Sequence, residues 1–289
     1  MNSKKLKLVI ILIFLFVNLF FLFELKSLRD AKSFFNETEI AEAVEVLDSK
    51  GIKISPETVL REKVVPETVK LDFTLTSVEA MAKSIMREEY GSFKIPEGQR
   101  FTNDKESFSS FYDFSFEYQL FDYGFTTDSV GRALTDYASY DEKQVKKAKK
   151  HLEKLLSGAS PDSHEITVRV NKYAEKDGFS FVEATEYIDG YEIDGADFLA
   201  VIYNGNIIFL SGKLYFSNQT SSYTTDFHDS INILFEIDET DFEIKQMELI
   251  YFPVSDKNNA YYLTPAYKFT YENGKSDVYD ATSGIRRTE

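Results

Sequence analysis

The sequence contains no cysteine, no tryptophan and only three histidines in 289 residues. Without cysteine there can be no disulfide, no thiolate nucleophile and no zinc–thiolate centre. Three histidines leave little for a histidine-rich metal site. Basic side chains are also in deficit, 33 Lys and Arg against 48 Asp and Glu, for a formal charge of −15. That balance disfavours sequence-independent nucleic-acid binding, in which Lys and Arg must neutralise phosphates. The motifs G-x-G-x-x-G, G-x-x-x-x-G-K, H-E-x-x-H and G-x-S-x-G are all missing. The expectation is a binding or regulatory protein, not an enzyme, with no cofactor and no metal.

What is present begins with 43% apolar and 28% charged residues, the balance of neither a disordered chain nor a polytopic membrane protein. The length suits two or three modest domains. Leu8 to Phe23 form a run of sixteen residues with one polar interruption, Asn18. Sixteen helical residues span roughly 24 Å, short of the roughly 30 Å hydrocarbon core. With Leu6 and Leu25 included and Lys7 snorkelling, the span suffices. A cleaved signal peptide would need small residues at its cleavage site, whereas Phe21 to Leu28 offers mostly bulky ones. An uncleaved anchor over residues 1–26 is expected, with Lys4, Lys5 and Lys7 inside and the body outside. Beyond residue 26 the chain keeps 29 of its 33 basic and 47 of its 48 acidic side chains, a net −18. Such a body is repelled by anionic lipid, so the tether alone would hold it at the membrane.

Asn18 lies near the middle of the span and shares a helical face with Ile11, Phe14, Leu15, Phe21 and Leu22. An amide in hydrocarbon seeks a partner, and a neighbouring helix can supply one for roughly 0.6–2 kcal/mol. The sequence leaves open whether the amide is used or merely tolerated. These six residues form the expected partner-binding face.

The body reads as α+β, antiparallel sheets packed with helices, in three segments. Residues 27–98 form a membrane-proximal lobe. There Asn36 and Glu39 make a capping box, and Gly51-Ile52 stops the helix in Schellman form. A second helix opens at Thr76 and buries Val78, Met81, Ala82, Ile85 and Met86. In residues 99–217, Tyr112 to Leu120 alternate apolar and polar with period two, predicting one continuous strand. Asp141 caps a helix, and Asn204-Gly205 marks a type I′ hairpin. Residues 218–289 repeat the order helix then strands, with a second Asn-Gly pair at Asn273-Gly274. The recurrence suggests a diverged duplication.

Candidate chemistry is thin. His151, His164 and His228 suit surface or capping positions. Asp189, Asp194 and Asp197 lack the ligand order of an EF-hand and fit ordinary turns. Glu236, Asp238, Glu239, Asp241 and Glu243 read as a solvated rim. Most of the 18 Tyr and 26 Phe alternate with polar residues and are expected in sheet faces.

The run from Lys5 to Phe20 resembles the anchor of the YycI (WalI) family and the related YycH proteins, as does an acidic ectodomain of this length with the Asn36–Ile54 helix-stop pattern behind the anchor. The segment from Tyr187-Ile188-Asp189-Gly190-Tyr191-Glu192-Ile193 through Asn204-Gly205 resembles a PepSY-like half-repeat. So does Leu263-Thr264-Pro265-Ala266-Tyr267 through Asn273-Gly274 and Asp280 to Gly284. The resemblance implies a single-pass protein that adjusts a WalK-like sensor histidine kinase together with a YycH-like protein, and so cell-wall homeostasis. An extracytoplasmic PepSY-like inhibitor or chaperone of a secreted hydrolase is the other open reading.

Overall fold

A computed structural model describes Asn18 and residues 33–63, 65–71, 75–139, 141–157, 164–215, 220–238, 242–256 and 260–287. In chain order the elements are α1 (Glu37–Ser49), β1 (Thr68–Leu71), α2 (Leu75–Ile85), β2 (Gly91–Ile95), β3 (Gly98–Thr102), β4 (Glu106–Phe111) and β5 (Ser115–Leu120). Then follow α3 (Thr127–Asp136), α4 (Glu142–Ser157), β6 (Ile166–Lys176), β7 (Phe179–Ile188), β8 (Tyr191–Tyr203), β9 (Asn206–Lys213) and β10 (Thr220–Tyr223). The last are α5 (Ser230–Glu236), β11 (Ile244–Ser255), β12 (Tyr261–Tyr271), β13 (Ser276–Asp280) and β14 (Arg286–Arg287). The fold is α+β. Two compact units arise, one from residues up to 66, 226–248 and 267 onward, the other from 67–225 and 249–266. Both are discontinuous in sequence.

In the first unit, α1 begins where the sequence signals it. The Asn36 side chain accepts from the backbone N–H of Thr38 and Glu39, and Glu39 accepts from the N–H of Asn36. It ends as a Schellman turn, with Ile52 N–H bonded to Leu47 O and Gly51 N–H to Asp48 O. Gly51 has φ 83°, which a Cβ would penalise. Ile40, Ala43 and Leu47 are buried, at the helical spacing that gives a single apolar stripe. Asp229 caps α5, and Ser230 Oγ donates to Leu60 O at 2.8 Å. Asp280, the last residue of β13, is buried and accepts from the backbone of Thr282 and Ser283 and from Arg287. Burial opposes its ionisation, but hydrogen bonds from Thr282 and Arg287 outweigh this and hold its carboxyl below the usual range.

The second unit carries a mixed sheet with helices on both faces. Along it run β10, β1, β12, β11, β8, β9, β5, β4, β3 and β2, with β7 on the other edge of β8 and β6 beyond it. Nearly all pairs are antiparallel; β8 meets β11 in parallel at Ile193 and Tyr251. The face with Phe116, Val182, Ala184, Ala200 and Leu210 packs on α2 and α4 through Met81, Ala148 and Leu152. The opposite face, with Phe181, Val201 and Phe209, packs on α3 through Val130 and Leu134. Burial on both faces explains the unbroken apolar run Phe198–Tyr203 in β8.

Gly212 in β9 stands between Phe198 of β8 and Phe116 of β5. A Cβ there would lie 2.4 Å from Asp197 O. The close approach of the β8 backbone at Asp197 and Phe198, together with φ 150°, leaves room for glycine alone.

The strand expected over Tyr112–Leu120 is not continuous. The chain turns after β4, with Phe114 N–H bonded to Phe111 O and Ser115 N–H to the Asp113 carboxylate, and only Ser115–Leu120 is strand. Phe114 takes φ 64°, at a cost of about 1–2 kcal/mol for a residue with a Cβ. Its ring is 1% exposed and packs on Tyr261 at 4.9 Å and Tyr215 at 5.3 Å. Burying a Phe contributes about 1.5–3 kcal/mol, so packing overrides the backbone preference.

Candidate functional site

Of the expected partner-binding face, Asn18 is described: it is helical and exposed. Ile11, Phe14, Leu15, Phe21 and Leu22 lie outside the described residues, as does the rest of the run Leu8–Phe23. Among the described residues no helix is long and apolar enough to cross a membrane.

The second unit carries a cluster of aromatic side chains at one end of its sheet. Three successive two-residue hairpins turn at Asp177-Gly178, Asp189-Gly190 and Asn204-Gly205, each with both residues at positive φ as type I′ requires. The first and third turns lie at the same end of the sheet and place Phe179 directly opposite Tyr203. Their rings stack at 4.6 Å. Phe125, which precedes the α3 cap Thr126, meets Phe179 at 5.4 Å and Phe181 at 5.8 Å edge-on. Tyr123 lies 5.9 Å from Tyr203.

A cavity of about 400 Å3 opens beside this cluster, lined by Phe125, Arg132, Asp136, Tyr137, Lys176 and Phe179 among others. Lys176 Nζ lies 4.2 Å from the Tyr137 ring centroid and donates to its hydroxyl at 2.7 Å. Tyr137 is 43% and Tyr123 37% exposed. Such rings offer apolar area with a polar tip, the combination suited to a partner surface or a peptide segment. Aromatic content is visible in the sequence. The usable signal is an aromatic at the strand position next to each of two type I′ turns, which the alternation argument assigns simply to sheet faces.

Two buried carboxyls are internal. Glu106 accepts from the backbone N–H of Arg87 at 2.9 Å and of Glu88 at 3.3 Å, and from the Tyr118 hydroxyl at 2.8 Å. Burial, then the Glu106 contact, raises the Tyr118 pKa. Glu186 is fully buried and is pushed up to about 8 by desolvation, against the lowering effect of the Tyr215 N–H. Neither residue lines the aromatic cavity.

The other candidates take structural places. His164 Nδ1 lies 2.6 Å from the Asp189 carboxylate, whose other oxygen accepts from Glu165 N–H at 2.8 Å. Asp197 accepts from Thr185 Oγ1, so Asp189 and Asp197 are engaged separately. His228 N–H bonds to Ala281 O. Glu239 and Asp241 of the acidic rim lie outside the described residues. The two Asn-Gly turns differ: Asn204 has positive φ, whereas at Asn273-Gly274 only the glycine does.

No protein-family model matches the chain, and no curated protein sequence matches it. Among solved structures it is similar to an uncharacterized protein from Eubacterium rectale, at TM-score 0.42 and 15% identity, over 82% of this chain and 90% of that one. It is also similar to the Bacillus megaterium YpeB C-terminal domain, at TM-score 0.35 and 9% identity, over 76% and 97% of the two chains. At those values neither likeness carries an argument about function.

Proposed function

We propose that this chain is a single-pass membrane accessory protein that modulates a sensor histidine kinase of the WalK type, alongside a YycH-like protein. Its N-terminus would be cytoplasmic and its body extracellular, and it would affect cell-wall homeostasis without catalysis. The observation that carries this reading is the apolar run Leu8–Phe23 with its single amide and three preceding lysines. A kinase that switches between two states is biased by any partner with different affinity for them, and about 1.4 kcal/mol of difference changes the ratio tenfold. One interhelical amide contact is of that order. The body adds affinity by raising effective concentration in the membrane plane.

Asn18→Leu, tested by co-purification with the kinase and by kinase output in cells, is expected to weaken association several-fold. Unchanged association with unchanged output overturns the helix-contact reading. The aromatic cavity favours a second reading, a PepSY-like inhibitor or chaperone of a secreted hydrolase. In that case Tyr137→Ser removes hydrolase binding and Asn18→Leu leaves it intact.

A further inference from the structure

The helix α4 carries a local charge opposite to that of the chain. Ala148, Leu152 and Leu156 are buried, while Lys143, Lys147, Lys150 and Lys154 are exposed. At 3.6 residues per turn these lysines fall within about 60° of one another, on the side away from the core. The helix acids neutralise their neighbours instead: Glu142 pairs with Lys146 at 2.6 Å and Glu153 with Lys149 at 3.5 Å. Lys143, Lys147 and Lys150 have no ion pair among the described residues. Like charges three and four residues apart repel, so the row is an electrostatic cost to the isolated helix and a positive stripe on a chain of net charge −15.

A cavity of about 420 Å3 runs along the flank of this row. Gln144, Lys147 and His151 line it from the helix, Ser180 and Asn204 from the hairpins, and Glu175 from β6. The His151 ring lies against the Asn204-Gly205 turn, where a Cβ on Gly205 would sit 3.4 Å from Cε1. Burial first, then the charges of Lys147, Lys154 and Lys150, lower the His151 pKa, so at neutral pH its ring is an uncharged donor and acceptor. Glu175 already accepts from the Tyr173 hydroxyl at 3.2 Å, and it is the anionic group facing the cavity.

We propose that this groove and the lysine row bind a chain of linked phosphates. One phosphate sits in the groove at Lys147, hydrogen-bonded by His151, Ser180 and Asn204, and its neighbours extend along Lys143 and Lys150. A tetrahedral phosphate can accept from several donors at once, which suits the mixed amide, hydroxyl and imidazole lining better than a planar carboxylate does. The acidic remainder of the surface repels a polyanion and confines it to this face.

The test is calorimetric titration of the full chain in non-ionic detergent with short-chain inorganic polyphosphate. Binding is expected with a log–log salt slope near −2, from about 0.7 per phosphate contacted by three lysines. Lys147→Glu with Lys150→Glu should weaken it at least tenfold, and the glutamine pair K147Q/K150Q, which preserves helix propensity, should also weaken it. Glu175→Gln should tighten it several-fold. Unchanged affinity in the lysine variants, or in Glu175→Gln, overturns the site. Equal binding of a poly-glutamate peptide of matched charge overturns the assignment to phosphate.

Discussion

Glu186 accepts the backbone N–H of Tyr215 at 2.7 Å through Oε2, while its Oε1 is buried with no hydrogen-bond partner among the described residues. The contact ties the segment after β9 to β7, at the bulge where the β7–β8 pairing shifts between Thr185 and Tyr187. A bulge re-aims one side chain out of the strict alternation, and here the side chain is a carboxyl. Half-satisfied, it is a cost that the surrounding apolar packing outweighs.

That carboxyl predicts a pH dependence. Its folded pKa of about 8 lies above the unfolded value near 4.5, so between those limits the folded state holds a proton that the unfolded state has released. Stability should therefore fall as pH rises through that window, by up to about 1.4 kcal/mol per pH unit from this residue. Glu186→Gln, neutral throughout, is expected to flatten the dependence, so that wild type and variant diverge between pH 5.5 and 8 in urea unfolding. Parallel curves for the two proteins would refute the assignment.

Tyr118 and Glu106 make a second test. Tyr118→Phe keeps the ring in the core but removes the hydroxyl that donates to Glu106 Oε2 at 2.8 Å. Leaving a buried carboxyl oxygen short of a donor costs about 1–3 kcal/mol. The urea midpoint should drop accordingly with the m-value unchanged.

At α1 the two ends can be weighed against each other. Asn36→Ala removes the acceptor of two N–H groups, with an expected loss of about 1 kcal/mol. Gly51→Ala forces a Cβ residue into φ 83°, with an expected loss of about 1–2 kcal/mol. The two sites do not share a partner, so the losses should add in the double variant; a thermal unfolding shift for the pair no larger than for either alone would contradict the cap assignments.

Much of the local structure was legible because its signals act over a few residues. The Asn36 box, the Gly51-Ile52 stop, the Asp141 cap with its bonds to Lys143 and Gln144, and the Asn204-Gly205 turn all appear where spacing placed them. The buried stripe of α2, from Val78 to Met86, does as well. The break inside Tyr112–Leu120 is not legible locally because alternation continues across a turn whose positive-φ residue is phenylalanine rather than glycine.

The sequence by itself determined the charge balance, both ends of α1, the Asp141 cap, the Asn204-Gly205 turn and the apolar N-terminal run around Asn18, since each depends on neighbours within a turn or two of chain. Only the tertiary structure decided that Phe114 bends backward beneath Tyr215 and Tyr261, that Phe179 meets Tyr203, and that the α4 lysines border a groove. Each of those outcomes joins segments far apart in the chain, and at Phe114 the free energy of burying the ring exceeds the local backbone preference.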